Sequence, residues 1–383
     1  MTREQMASLC FTIASFMIKA TAMETTRDFE HIYELPRDEW GDLLERNGYS
    51  KNHSPNIFRL MYRQNPRSHV TSDIPQKVKA LVLEHSQQHL PSAAQIEEDR
   101  YDQSVKFLIK LKDGKTIEMV LMPEKARITL CVSSQVGCAQ GCVFCHTGRM
   151  GLIRNLTPSE IVGQVLFAND WISKNPEWKE RANIKLDHVT NIVFMGMGEP
   201  LDNPENLIKA CKILSDPYGL AIGPRHISVS TAGHLDGLKR LTGEVPKIRI
   251  ALSLHHPNPA KRSRIMPINK VYPIAEVLDF LKEVYNARND KIFIQYTIIK
   301  GVNDSIACAD ELIELLGETP AKVNIIPLNT TEFGAMQAPQ PETINDFKMR
   351  LNNAGIRALV RYSKGQGINA ACGQLVTAAQ TSH

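Results

Sequence analysis

The chain has 383 residues, 43% of them hydrophobic, and a formal net charge of +4. That length can bury a large core and divide into two or three units. The mild positive charge permits an RNA partner without demanding one, and the eight cysteines are too dispersed for a secreted disulfide scaffold.

Residues 1–27 read as a terminal extension. Ala7 to Ala22 is a moderately apolar stretch after Arg3, too short and too polar to span a membrane. It resembles a short signal peptide, but Lys19 and several hydroxyl residues interrupt it. Met23 offers a later start, so an upstream start or a loose terminal helix is favoured over export. Residues 28–98 follow as a small helical accessory domain and candidate RNA-binding unit. Apolar residues recur there at helical spacing, punctuated by Pro36, Pro55, Pro66, Pro75 and Pro91. In residues 99–126, Asp113-Gly114 joins two β-rich runs, which signals a β-hairpin linker.

From 127 to 377 strands and helices alternate. Strands are expected at 128–133, 189–195, 226–230, 247–254, 291–300, 322–327 and 356–361. Helices are expected at 157–171, 204–215, 234–242, up to 287, 305–317 and 341–353. Six strand–helix units and a closing strand predict an α/β protein with a parallel (βα)6 partial barrel. Chemistry in such barrels gathers at the C-terminal ends of the strands.

The motifs fall at those ends. Cys138, Cys142 and Cys145 form a C-x3-C-x2-C loop after the first barrel strand. Thiolates hold iron–sulfur clusters, and three of them leave one iron of a [4Fe–4S] cubane without a protein ligand. Such an iron can bind S-adenosylmethionine (SAM) through its amino and carboxylate groups. Zinc is the alternative, but it takes four ligands, and His146 stands too close to Cys145 for paired geometry. A thiolate cluster loop points to a reducing compartment, the cytoplasm. Gly196-Met-Gly-Glu-Pro200 lets backbone approach a ligand, with Gly198 and Glu199 as a clamp for an amino-acid moiety. Ser230, the run Ser253-Leu254-His255 and Asn329 add polar groups to the same rim, with helix capping as the plainer reading. Cys372, among small residues after the last strand, and Cys131, before the cysteine loop, suggest covalent chemistry. Cys211 and Cys308 read as packing.

Together these motifs resemble the RlmN/Cfr family of radical SAM RNA methyltransferases. The resemblance is carried by Leu130-Cys-Val-Ser-Ser-Gln-Val-Gly-Cys138, the cysteine loop, Arg154-Asn-Leu156, Met195–Leu201, Ser230-Thr-Ala-Gly233, Ser253-Leu-His255, Met266-Pro-Ile-Asn269 and Ala371-Cys-Gly-Gln-Leu375. It covers roughly residues 100 to 377, and Glu199-Pro-Leu201 with Asn203 is closer to the RlmN branch than to Cfr. The resemblance implies a radical SAM barrel and methylation of adenine carbon 2 in 23S rRNA, tRNA or both. Two SAM molecules are used per turnover: Cys372 takes a methyl group from one, and the second is cleaved at the cluster to start the radical step. Cys131 resolves the protein–RNA adduct through a transient disulfide with Cys372, and Glu118 accepts a proton. Gly198, Glu199, Ser230, Ser253, Leu254, His255 and Asn329 contact SAM. A one-electron donor such as flavodoxin or ferredoxin, a monomer and no membrane complete the expectation. The chain departs from the family pattern at Asn56–Met61, Thr330–Gly334 and Gly367-Ile-Asn369. Carbon-8 methylation, a radical SAM enzyme acting on another substrate class, and a non-catalytic iron–sulfur RNA-binding protein are the alternatives.

Overall fold

The computed structural model describes residues 32–63, 73–86, 91–329 and 336–375. The terminal extension at 1–27 and the Thr330–Gly334 run lie outside them. The chain forms two compact units, one of Met1–Leu90 with Asp216–Ala221, the other of Pro91–Ser215 with Ile222–His383.

In the first unit, helices Arg37–Arg46, Ser54–Tyr62 and Gln76–Ser86 bury Trp40, Leu44, Ile57, Phe58, Val78 and Val82. The segment Asp216–Ala221 belongs to it although it is remote in sequence. Arg37 and Arg59 carry their guanidinium carbons 5.1 and 4.6 Å from the Tyr218 ring centre. Arg37 Nε also pairs with Asp216 at 2.8 Å, and Arg63 donates to the carbonyls of Pro217 and Gly219.

The second unit carries twelve strands among the described residues: β1 Ser92–Glu98, β2 Val105–Lys110, β3 Thr116–Glu124, β4 Arg127–Cys131, β5 Gln135–Cys138, β6 Gly151–Asn155, β7 Asn191–Phe194, β8 Ile227–Thr231, β9 Arg249–Ser253, β10 Ile292–Ile298, β11 Ala321–Pro327 and β12 Arg357–Val360. Ten form one sheet in the order β1-β2-β3-β4-β7-β8-β9-β10-β11-β12. In this sheet strands β1 to β4 pair antiparallel, and every pairing from β4 to β12 is parallel. The hairpin thus runs straight into the barrel sheet through β4. Helices Pro158–Lys174, Pro204–Ser215, Leu235–Glu244, Ile274–Arg288, Ile306–Leu316 and Pro341–Asn353 alternate with the parallel strands. This is the expected six-unit α/β barrel with a closing strand, and it is open between β12 and β1.

Local chemistry fixes these elements. Strands β10 and β11 are buried along most of their length, as central parallel strands covered on both faces are. Thr157 and Glu160 form a capping box that starts helix Pro158–Lys174, and Ser305 accepts from Cys308 N to start Ile306–Leu316. Residues 92–98 correct the expectation of a helical segment extending to 98. They form β1, in register with β2 apart from a bulge at 93–95. Most of its side chains are exposed, so backbone pairing with β2 defines it rather than any apolar alternation. Among the described residues no helix is long and apolar enough to cross a membrane.

Candidate active site

The cysteine loop hangs from a short hairpin, β5 with β6, that the sequence reading did not contain. Gly137 makes the pairing possible: its φ is +77°, and a β-carbon there would lie 1.9 Å from the Gly151 carbonyl oxygen. The loop is then pinned to the barrel. Val143 N donates to the Ile265 carbonyl at 3.1 Å, and Gln140 donates to Asp202 at 2.7 Å. Cys142, Val143 and Phe144 pack on Ala232, Ile265, Met266 and Ile268.

The three thiols share one electrostatic environment. Burial pushes Cys138 up to about 12 and also raises Cys142 and Cys145; the charges of Cys145 and Cys138 raise Cys142 further. Thiolates crowded in this way need a cation to hold them ionised. Among the described residues no three His, Cys, Asp or Glu side chains are arranged as ligands of a single ion. Three thiolates on one loop are the ligand type of an iron–sulfur cluster, whose irons they would bind separately.

A cavity of about 170 Å³ opens beside the loop, lined by its three cysteines and by the strand ends. Gly198, Glu199, Ser230, Ser253, His255 and Asn329 all line it. Gly198 has φ +102°, and a β-carbon there would meet the Gln135 side chain at 2.6 Å. The Glu199 carboxylate accepts from the backbone amides of Ala232 at 2.7 Å and Leu201 at 3.1 Å. It therefore braces the β7 and β8 ends against each other. Burial raises its pKa to about 7, against the amide bonds that lower it. The hydroxyls of Ser230 and Ser253 meet at 3.3 Å. Leu254 is the exception: fully buried and absent from the lining, it donates its N–H to the Gln295 carbonyl.

His255 is held in one tautomer. Its Nδ1 accepts from Thr297 N at 2.8 Å, so the neutral ring carries its proton on Nε2. Burial, then the charge of Arg262, lowers its pKa to about 3. Its φ of +56° is left-handed, and Asn303 secures it by donating to its carbonyl. The ring offers a fixed donor at neutral pH.

Cys372 is exposed and lines the cavity. Its loop is tied to the cysteine loop: His146 N donates to the Gly373 carbonyl at 2.9 Å, and the Thr147 hydroxyl to that of Leu375 at 2.7 Å. Asn329 Nδ2 donates to the Cys372 carbonyl at 3.1 Å and to Ser363 Oγ at 3.0 Å. Cys131 is buried at the end of β4 rather than lining the cavity. Burial and then the charge of Cys372 raise its pKa, so the two thiols are within electrostatic reach. Glu118 is buried on β3 and also stands away from the lining, with Lys106 Nζ 3.6 Å from its carboxylate.

Three supporting residues escaped the sequence reading. Gln135 is fully buried; it accepts from Glu199 N at 2.8 Å and donates to Asn155 at 2.8 Å. Ser133 accepts from Met197 N at 2.9 Å and donates to the Glu118 carbonyl at 2.6 Å. Arg262, also fully buried, donates to the carbonyls of Ala232, Ser253 and Leu254. A signal existed for the first two, which stand inside the motif between Cys131 and Cys138.

A parallel partial barrel bearing a three-cysteine loop at its C-terminal strand ends defines a radical SAM enzyme, and the Radical SAM superfamily model matches residues 132–315. Relatives named "Dual-specificity RNA methyltransferase RlmN" match almost end to end. That of Desulfotalea psychrophila is 39% identical, covering 92% of this chain and 96% of its own. That of Campylobacter jejuni strain RM1221 is 42% identical, covering 83% and 90%. A crystal structure of a radical SAM methyltransferase from Sphaerobacter thermophilus superposes with a TM-score of 0.78 at 38% identity, covering 90% of this chain and 98% of that one. The chain belongs to the RlmN family, and membership implies a [4Fe–4S] cluster and SAM as its cofactors.

Proposed function

We propose that this protein methylates carbon 2 of an adenine in 23S rRNA, tRNA or both, with Cys372 as the methyl carrier and two SAM molecules per turnover. The observation that carries this reading is the seating of the Cys372 loop on the cysteine loop, with Cys372 lining the cavity beside it. An aromatic C–H at carbon 2 is poorly nucleophilic, so direct displacement on SAM does not suffice. When bound, the cluster and SAM supply the radical chemistry that such a carbon requires. Cys372 takes a methyl group by displacement and presents it toward the cavity. Asn329 and Ser363 hold its backbone and side chain. Gly198, Glu199, Ser230, Ser253, Leu254 and His255 form the SAM-binding rim, by contact or, for Leu254, by support from behind. Glu118 accepts the ring proton, and the Cys131 thiolate attacks the Cys372 sulfur: the S–S bond forms as the bond from that sulfur to the transferred carbon breaks, the electron pair and then a proton go to that carbon, and a cellular thiol reductant reopens the disulfide. The electron donor is a flavodoxin or ferredoxin, and the protein acts as a cytoplasmic monomer.

The test supplies methyl-deuterated SAM and an unmodified RNA to the reconstituted enzyme. Mass spectrometry of the nucleosides should find label on adenine carbon 2. Label on carbon 8, or in no nucleoside, would exclude the reading. The cluster is checked separately: replacing Cys138, Cys142 and Cys145 with Ala should remove about four irons per chain and the brown colour. Unchanged iron in that variant would rule out the loop as its ligand.

The helical unit is assigned to RNA phosphates. Deleting residues 1–90, which ends before β1, should spare SAM cleavage and abolish RNA methylation. Binding by the full chain should weaken steeply with salt. Normal methylation by the truncated protein would remove this assignment.

A further inference from the structure

Arg262 is fully buried in the second unit. It stands on the short helix Pro259–Ile265, whose N-cap, Asn258, accepts from Ala260 N and Lys261 N. Its guanidinium donates to the carbonyls of Leu254 at 3.0 Å, Ala232 at 2.6 Å and Ser253 at 2.9 Å, and to Asn269 Oδ1 at 2.8 Å. These are neutral acceptors. Among the described residues no carboxylate pairs with it, and a buried cation without a counter-charge is costly.

The geometry points to the cysteine loop as that counter-charge. Ile265 and Met266, three and four residues on, and Ala232, whose carbonyl the guanidinium holds, belong to the apolar cluster on which Cys142, Val143 and Phe144 pack, and the Ile265 carbonyl accepts from Val143 N. Among titratable groups the charge of Cys142 is the one that favours the charged arginine, against burial, which lowers its pKa to about 10. Thiolate-ligated clusters are anionic, gain a further negative charge on reduction, and take their potential from burial, hydrogen bonding and nearby charge. A fixed cation in a low-dielectric interior favours the reduced form.

We propose that Arg262 is a positioning residue that also sets the cluster's reduction potential, serving as the buried counter-charge of the Cys142 side while it locks the ends of β8 and β9. The inference rests on the cluster reading and goes beyond it, because family membership does not say which side chain neutralises the site.

The test is a redox titration of the reconstituted holoenzyme, followed by electron paramagnetic resonance, with iron content measured alongside. R262Q removes the charge and should lower the midpoint potential by about 59 mV or more, a tenfold shift in a one-electron equilibrium. N269D leaves the arginine but sets a carboxylate on it and should shift the potential in the same direction. R262K keeps the charge and should stay near wild type. An unmoved potential in whichever of R262Q and N269D keeps its cluster overturns the proposal. Loss of the cluster from both, with retention in R262K, supports it; loss from all three points to packing alone and overturns it. A wild-type protein that holds no iron would fail the cluster reading instead, so the two failures are distinct.

Discussion

Cys372→Ala should end RNA methylation, and Cys131→Ala should leave protein covalently joined to RNA. Without Cys372 there is no sulfur to take the methyl group, so neither methylcysteine nor adduct forms. The expected loss is on the order of 10⁴-fold or more, the scale seen when a covalent nucleophile is removed. Cys131→Ala keeps the carrier and fails later. Burial disfavours its thiolate, so Cys131 attacks only once its proton has been taken. The trapped species should run as a protein–RNA conjugate on a denaturing gel, shrink on RNase digestion and vanish in the double variant. Steady turnover by Cys131→Ala would overturn the two-thiol scheme.

What the sequence made legible follows from where free energy is localised along the chain. Helix Pro341–Asn353 falls at the expected residues because a proline opens its first turn. The parallel strands are visible as apolar runs because both faces are covered. Strand β1 lacks such a run because its side chains are mostly exposed and its stability lies in pairing with β2. Hairpin β5–β6 is hidden for another reason: its strands are four and five residues long, with the cysteine loop between them. Asp216–Ala221 sits between barrel elements and looks like an ordinary turn, although it packs with the N-terminal helices.

The site divides in the same way. Cysteine spacing and glycines after strands mark the cavity wall, because those residue types are required there. Arg262 carries no such mark; within Lys261-Arg-Ser-Arg264 nothing in composition separates the buried guanidinium from an exposed one. The distinction lies in three carbonyls that converge from β8 and β9, and only folding brings them together. Glu199 likewise reads as an acceptor for a ligand ammonium. In the fold each of its carboxylate oxygens also accepts from a backbone amide, a brace between strand ends that the sequence does not reveal.

Gly137→Ala should cost several kcal/mol and release the cluster, whereas Gly151→Ala on the same hairpin should cost only about 1 kcal/mol. Both glycines have left-handed φ, +77° and +72°, so an alanine pays a similar backbone penalty of about 1 kcal/mol at either site. Their surroundings differ. At Gly151 nothing lies within 4 Å of an added β-carbon. At Gly137 the same atom would sit 1.9 Å from the Gly151 carbonyl oxygen, which is backbone and cannot rotate aside. Relief requires the two strands to part, which adds the cost of overpacking, about 1 to 3 kcal/mol, and of ladder bonds left unmade. The parted strands are those from which Cys138 and the rest of the loop hang, so the geometry of the thiolates goes with them. Calorimetry should therefore show a much lower Tm for Gly137→Ala than for Gly151→Ala, and iron analysis after anaerobic reconstitution should show poor retention in the former alone. Equal losses in the two variants would mean that backbone conformation, not the close approach of β5 to β6, fixes the loop.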